Sequence, residues 1–248
     1  MTLKLLGILA LWSFVVALSA DFVCPTTHIT KDSGITGTVP AGANGLAMLP
    51  AGQQCTYTFD IPSGFALKIY LSAVYDVSQV SPGVLFDGFN IPNGAVNQLE
   101  YAMKPQVALD VFSAIGNLTF LAKYEYLDLS NYQQVLKPTG AYFNTTLESN
   151  KYYTIQASTD KDQVNLHYGS RESEFVDSTV YEVFMFDGSD IFNSKYVGRV
   201  PTVFGRRQEY YSTSNSLTLI NLYGSPSNSV FLGNDASEAM SQKAKIVM

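Results

Sequence analysis

The chain is poor in the residues that most site chemistry uses. Its 248 residues include two cysteines, two histidines and one tryptophan, Trp12. A cysteine- or histidine-based metal site needs about four such ligands close together. Cys24, His28, Cys55 and His167 do not form a recognisable spacing. A Ser-His-Asp arrangement needs a base beside its nucleophile, and only His28 and His167 are available. His167 lies in Leu166-His167-Tyr168, which reads as an exposed residue of an alternating strand. No phosphate-cradling glycine loop, zinc signature or cofactor fingerprint occurs, so the expectation is a non-enzyme without a cofactor. Paired carboxylates for glycoside cleavage are set in space rather than along the chain, and a secreted hydrolase stands as an alternative. Basic residues are also scarce, 15 against 21 acidic, for a formal net charge of −6. The isolated pair Arg206-Arg207 reads as a solvated loop, so phosphate neutralisation along a nucleic acid is excluded.

One long apolar run is present, at the N-terminus. Lys4 precedes Leu5 to Leu18, broken only by Ser13, and the small residues Ala17, Ser19 and Ala20 follow. This is the pattern of a secretory signal peptide over residues 1–20, with a mature start near Asp21. A membrane span needs roughly 20 apolar residues, so an uncleaved anchor is the weaker reading. The end of the chain, Met240 to Met248, carries two lysines and lacks the hydrophobic tail of a lipid-anchor signal. A soluble extracellular protein is expected. In that oxidising setting Cys24 and Cys55 are expected to bridge, since a metal site or a catalytic thiol would lack partners. Closing the loop between them stabilises by about 3–4 kcal/mol in the chain-entropy view. Two sequons, Asn117-Leu118-Thr119 and Asn144-Thr145-Thr146, are candidate surface glycosylation sites.

What the chain has in quantity is alternation. Cys55, Tyr57, Phe59 and Ile61 alternate with Thr56, Thr58 and Asp60, and Pro62-Ser63-Gly64 then turns the chain into a second alternating run, Leu67, Ile69 and Leu71. Val107, Leu109 and Val111 form another, and Leu118 to Tyr126 a longer one. Val84-Leu85-Phe86 ends in Asp87-Gly88, and Phe184-Met185-Phe186 ends in Asp187-Gly188. Both read as buried strands closed by a tight turn, because Asp bonds its own backbone and Gly tolerates positive φ. Further echoes pair Tyr57-Thr58-Phe59 with Tyr153-Thr154-Ile155, Ile69 to Leu71 with Val164 to Leu166, and Leu109 to Phe112 with Leu217 to Ile220. Their slowly drifting offsets point to a duplicated unit. Outside the N-terminus no segment holds helical spacing at length, although Ala236 to Lys245 could make a short helix. Many short strands with turn signals predict antiparallel β-sandwiches.

The first half resembles a known family. Cys24, the run Leu49-Pro50-Ala51-Gly52-Gln53-Gln54-Cys55-Thr56-Tyr57-Thr58-Phe59, and Pro62-Ser63-Gly64 before an alternating strand are similar to the start of a CUB-like domain, in the form expanded among nematode secreted proteins. Tyr211 to Leu219 resembles the Ser-rich approach to a late CUB strand. The second disulfide of most CUB domains is absent from both halves. The resemblance implies an all-β fold of tandem CUB-like sandwiches of jelly-roll type. The expected organisation is a signal peptide (1–20), a CUB-like sandwich (21–128), a linker (129–140), a second CUB-like sandwich (141–235) and a polar C-terminal tail (236–248). It also implies a non-catalytic binding protein of the innate response to pathogens, directed at a glycan, microbial or protein ligand, with peripheral association with membrane rafts. An extracellular scaffold glycoprotein is the competing reading.

Many CUB domains hold calcium through acidic loops, and calcium needs six or more oxygens. The candidates here are Glu172, Glu174, Asp177 and Asp187, although a solvated acidic loop accounts for them more simply. The doublets Tyr152-Tyr153 and Tyr210-Tyr211 each place one ring on either side of a strand, for packing on both faces or for ligand contact on one.

Overall fold

The computed structural model describes residues 24–76, 78, 83–143, 150–169, 180–205, 209–222 and 229–246. Strands are numbered along the chain. The first sheet has the order β1 (Ile29–Thr30), β4 (Gln54–Asp60), β9 (Gln106–Phe112), β6 (Gly83–Phe86) and β7 (Phe89–Ile91). The second runs β2 (Thr36–Val39), β10 (Leu118–Asp128), β5 (Phe65–Tyr75) and β8 (Ala95–Ala102), and β3 (Ala47–Leu49) also pairs with β10. The alternation in β4 and β9 becomes a buried face. Cys55, Tyr57, Phe59, Val107, Leu109 and Val111 pack against Leu67, Ile69, Leu71, Phe120 and Tyr126 of the facing sheet.

The second half repeats this plan. Its five-stranded sheet has the order β11 (Gln133–Pro138), β13 (Lys151–Gln156), β18 (Ser216–Asn221), β15 (Val183–Asp187) and β16 (Lys195–Arg199). Its four-stranded sheet has the order β12 (Tyr142–Phe143), β19 (Val230–Asp235), β14 (Val164–Gly169) and β17 (Glu209–Tyr211). Strand for strand the sheet orders match, β4 to β13, β9 to β18, β6 to β15 and β5 to β14. Each of the four sequence echoes therefore falls on a topologically equivalent strand. Each five-stranded sheet also has one parallel pair at its edge, β1 with β4 and β11 with β13, where uniform antiparallel pairing was expected.

One other expectation needs correction. Within the stretch read as a linker, Gln133–Pro138 is the strand β11. It was hidden because an edge strand pairs on one side only and here presents polar, largely exposed residues, with Pro138 at its end. The short helix expected from Ala236 to Lys245 is present as α2 (Ala236–Ile246), and Ala236 and Ala239 are buried on one side of it. A second short helix, α1 (Val200–Phe204), buries Val200 and Phe204 in the second core with Tyr153, Leu166, Met185 and Phe231.

A third apolar cluster joins the two halves. Ala66, Tyr101 and Met103 of the first meet Tyr152, Phe184, Phe186, Ile191, Ile220 and Leu222 of the second. The second five-stranded sheet is thus covered on both faces, and β15 and β18 are buried at every position. Strands covered on both sides lose alternation and read as continuous runs, as Val183-Phe184-Met185-Phe186 does.

Candidate functional site

Cys24 and Cys55 form a disulfide with a Cα–Cα distance of 5.2 Å. The bridge ties the segment before β1 to β4, whose Cys55 is part of the first core. Asn117 is exposed in the turn that enters β10. Asn144 lies outside the described residues, as do Glu172, Glu174 and Asp177.

The two Asp-Gly strand ends have diverged. Asp87 and Gly88, with φ of 50° and 82°, make the two-residue turn between β6 and β7. Burial raises the Asp87 carboxyl above its usual value, with Arg199 and Lys104 pulling the other way. Asp187 does not make that turn, because a longer loop leads on to β16. Its Oδ2 accepts from the Thr213 amide at 2.6 Å and hydroxyl at 2.7 Å. Its Oδ1 accepts from the Ser214 amide at 3.1 Å and hydroxyl at 2.8 Å. Burial would raise this carboxyl, but the four hydrogen bonds outweigh it and hold the pKa below the usual value. Asp187 thereby fastens the Ser-rich loop between β17 and β18. Among the described residues, no group of three or more His, Cys, Asp or Glu is arranged to hold a metal ion.

The densest electrostatic arrangement lies at the junction, and the sequence reading missed it. Arg199 is 3% exposed and donates to Glu182 Oε1 at 3.2 Å, Glu100 Oε2 at 3.5 Å and the Tyr181 carbonyl at 3.4 Å. It also donates to the Tyr101 carbonyl. Its guanidinium is flanked by the rings of Phe89 at 5.1 Å and Phe184 at 5.3 Å. Glu100, Tyr101 and Phe89 belong to the first sandwich, and Glu182, Phe184 and Arg199 to the second. Burial pushes the Glu182 carboxyl up to about 9; Arg199 opposes the rise and the Glu100 carboxylate adds to it. Burial also pushes the Tyr196 hydroxyl up to about 12. The only local signal was a glutamate directly before an uninterrupted apolar run.

His28 Nδ1 lies 3.0 Å from an Asp60 carboxylate oxygen, and Gln106 Nε2 donates to the same carboxylate at 3.0 Å. Those hydrogen bonds, Gln106 first and His28 second, lower the Asp60 pKa. His167 is half-exposed on the outer side of β14. Tyr152 packs into the junction and Tyr153 into the second core, so that doublet is packed on both faces.

Three hollows lie near these groups. One of about 350 Å³ is lined by Asp160, Asp162, Thr213, Asn215 and Ser237. A second, of about 330 Å³, lies between the sandwiches among Phe65, Met103, Phe186, Phe192 and Tyr196. The third, of about 390 Å³, lies on the outer face of the second four-stranded sheet between Tyr142 and His167.

These features define an all-β, disulfide-closed double sandwich. Residues 19–130 match the family model described as the CUB-like domain. Among solved structures, the CUB1-EGF-CUB2 domain of human MASP-1/3 is 10% identical, covering 81% of this chain and 100% of that one, with a TM-score of 0.30. The CUB1-EGF-CUB2 domains of rat MASP-1 are 9% identical, covering 84% of this chain and 99% of that one, with a TM-score of 0.31. No curated protein matches the sequence. Among the described residues no helix is long and apolar enough to cross a membrane.

Proposed function

We propose that this chain is a secreted, non-catalytic binding glycoprotein that recognises a glycan, microbial or protein ligand in innate defence. The observation that carries this reading is the CUB-like domain over residues 19–130, since CUB domains are extracellular interaction modules. The Cys24–Cys55 bridge supports an oxidising compartment. The N-terminal apolar run supports export, the sequons at Asn117 and Asn144 support glycosylation, and the family resemblance supports association with membrane rafts. The test is binding of the purified secreted protein to microbes, glycan arrays and extracellular protein arrays, with calcium and with chelator. Saturable binding to any of them supports the reading, and loss on chelation would make calcium part of it, with Glu172, Glu174, Asp177 and Asp187 as the candidates to substitute next. Absence of binding on every surface refutes it.

The scaffold reading has one observation in its favour. Met48 and Val74 both flank Thr119 in register, and with Val96 they leave apolar side chains 51%, 49% and 76% exposed on the outer face of the sheet formed by β2, β3, β5, β8 and β10. An apolar row of this kind suits protein contact. Concentration-dependent self-association in sedimentation, abolished by Val74→Lys, would favour the scaffold.

A further inference from the structure

The groove on the outer face of the second four-stranded sheet is built by register. Tyr142 of β12 pairs with Leu232 of β19, and Leu232 pairs on its other side with His167 of β14. Adjacent strands lie about 4.8 Å apart, so the tyrosine and the imidazole stand roughly 10 Å apart with Leu232 as the floor between them. Tyr142 is 72% exposed, whereas Phe143 beside it is buried in the core, so the tyrosine ring stands out from the sheet. Asn234 lies along the groove on one side, and Val230 opposite Gly169 closes the other.

We propose that this groove is a binding site for a neutral sugar ring of an oligosaccharide. The proposal rests on reading the chain as a binding protein and gives that reading a site. A pyranose presents a C–H face and a rim of hydroxyls. An exposed tyrosine ring offers an apolar face for the first. The imidazole and the Asn234 amide each both donate and accept, which suits the second. Leu232 and Val230 supply an aliphatic floor. Charge narrows the ligand class: among the described residues the lining includes no lysine or arginine, Glu209 pairs with His167 across the next strand, and the chain carries a net charge of −6. Phosphorylated, sulfated or uronic sugars would meet like charge. A folded protein partner needs about 800 Å² of surface from each side. A hollow of about 390 Å³ is instead in the range of small-ligand sites.

The test uses the full secreted protein carrying Asn144→Gln, which removes any glycan of its own two residues from Tyr142. The probes are neutral oligosaccharides of the laminari-, cello-, manno- and chito- series, followed by saturation-transfer NMR and titration. Binding of at least one series is expected, weakened at least tenfold by Tyr142→Ala and by His167→Ala and largely kept by Tyr142→Phe. Tyr142 is exposed, so its truncation should leave the thermal midpoint unchanged, and that control separates lost binding from lost fold. Binding unaffected by Tyr142→Ala and His167→Ala would overturn the site while leaving the binding reading intact. No binding of any neutral series would overturn the saccharide assignment. The microbe and protein arrays then decide separately whether the chain binds at all.

Discussion

Replacing Arg199 with methionine tests whether the two sandwiches are held together by a buried charge cluster or by apolar contact alone. Methionine keeps much of the side-chain volume between Phe89 and Phe184 but removes every donor. Glu182 and Glu100, with side chains 5% and 16% exposed, lose their cation, and the Tyr101 and Tyr181 carbonyls lose a donor. Removing one partner of a buried ion pair costs about 3–5 kcal/mol. Glu182 is already pushed up to about 9, so at neutral pH it can stay protonated and avoid burying a bare charge. The expected loss is therefore near the lower limit, about 3 kcal/mol. Urea unfolding followed by far-UV circular dichroism measures it by linear extrapolation. The junction couples the halves, so the variant should also unfold in two resolvable steps. A second variant, Arg199→Met with Glu182→Gln and Glu100→Gln, removes the orphaned acids and should recover most of the loss. A single-variant loss under about 1 kcal/mol, or no recovery in the triple variant, would refute the argument that charge burial governs this junction.

Three further outcomes follow from the same structure. The folded state holds a proton on Glu182 that the unfolded chain releases above its ordinary carboxyl pKa, so this group makes stability fall as pH rises from about 4.5 towards 9. Its slope is at most about 1.4 kcal/mol per pH unit, and Glu182→Gln should flatten the profile measured by thermal melts in that window. Asp187 has the opposite sign: its lowered pKa contributes stability that is present above the unfolded value near 4 and lost as pH falls through the folded one. Asp187→Ala should cost about 2–3 kcal/mol through the released Thr213 and Ser214 donors, and amide exchange should rise at those two residues. Reduction of Cys24–Cys55 should cost about 3–4 kcal/mol, and a Cys24→Ser/Cys55→Ser variant whose urea midpoint equals that of the oxidised chain would contradict that figure.

Much of the fold was written locally. A strand half-buried in a sandwich must alternate, so β4, β5, β9 and β10 stood out as period-two runs, and Cys55, Tyr57 and Phe59 are buried as that period requires. The duplication was legible for the same reason, since equivalent strands face equivalent neighbours and retain similar patterns. The edge strand β11 carried no such signal, because among the described residues only its β13 side is paired. The Asp-Gly pair at 187–188 looked like its counterpart at 87–88, yet only the first is a two-residue turn, because the destination of the Asp187 carboxylate depends on a loop brought to it by β18.

By itself, then, the sequence determined the strand-rich class, the repeated unit, the cysteine pair and the buried face of each long strand. These depend on neighbours within a few residues and on the two-residue period of the backbone. Only tertiary structure decided which strands meet across the junction, that Arg199 faces Glu100 from the other sandwich, and that Tyr142, Leu232 and His167 share one row. Those contacts join residues far apart in the chain through register and sheet packing, which no local pattern encodes.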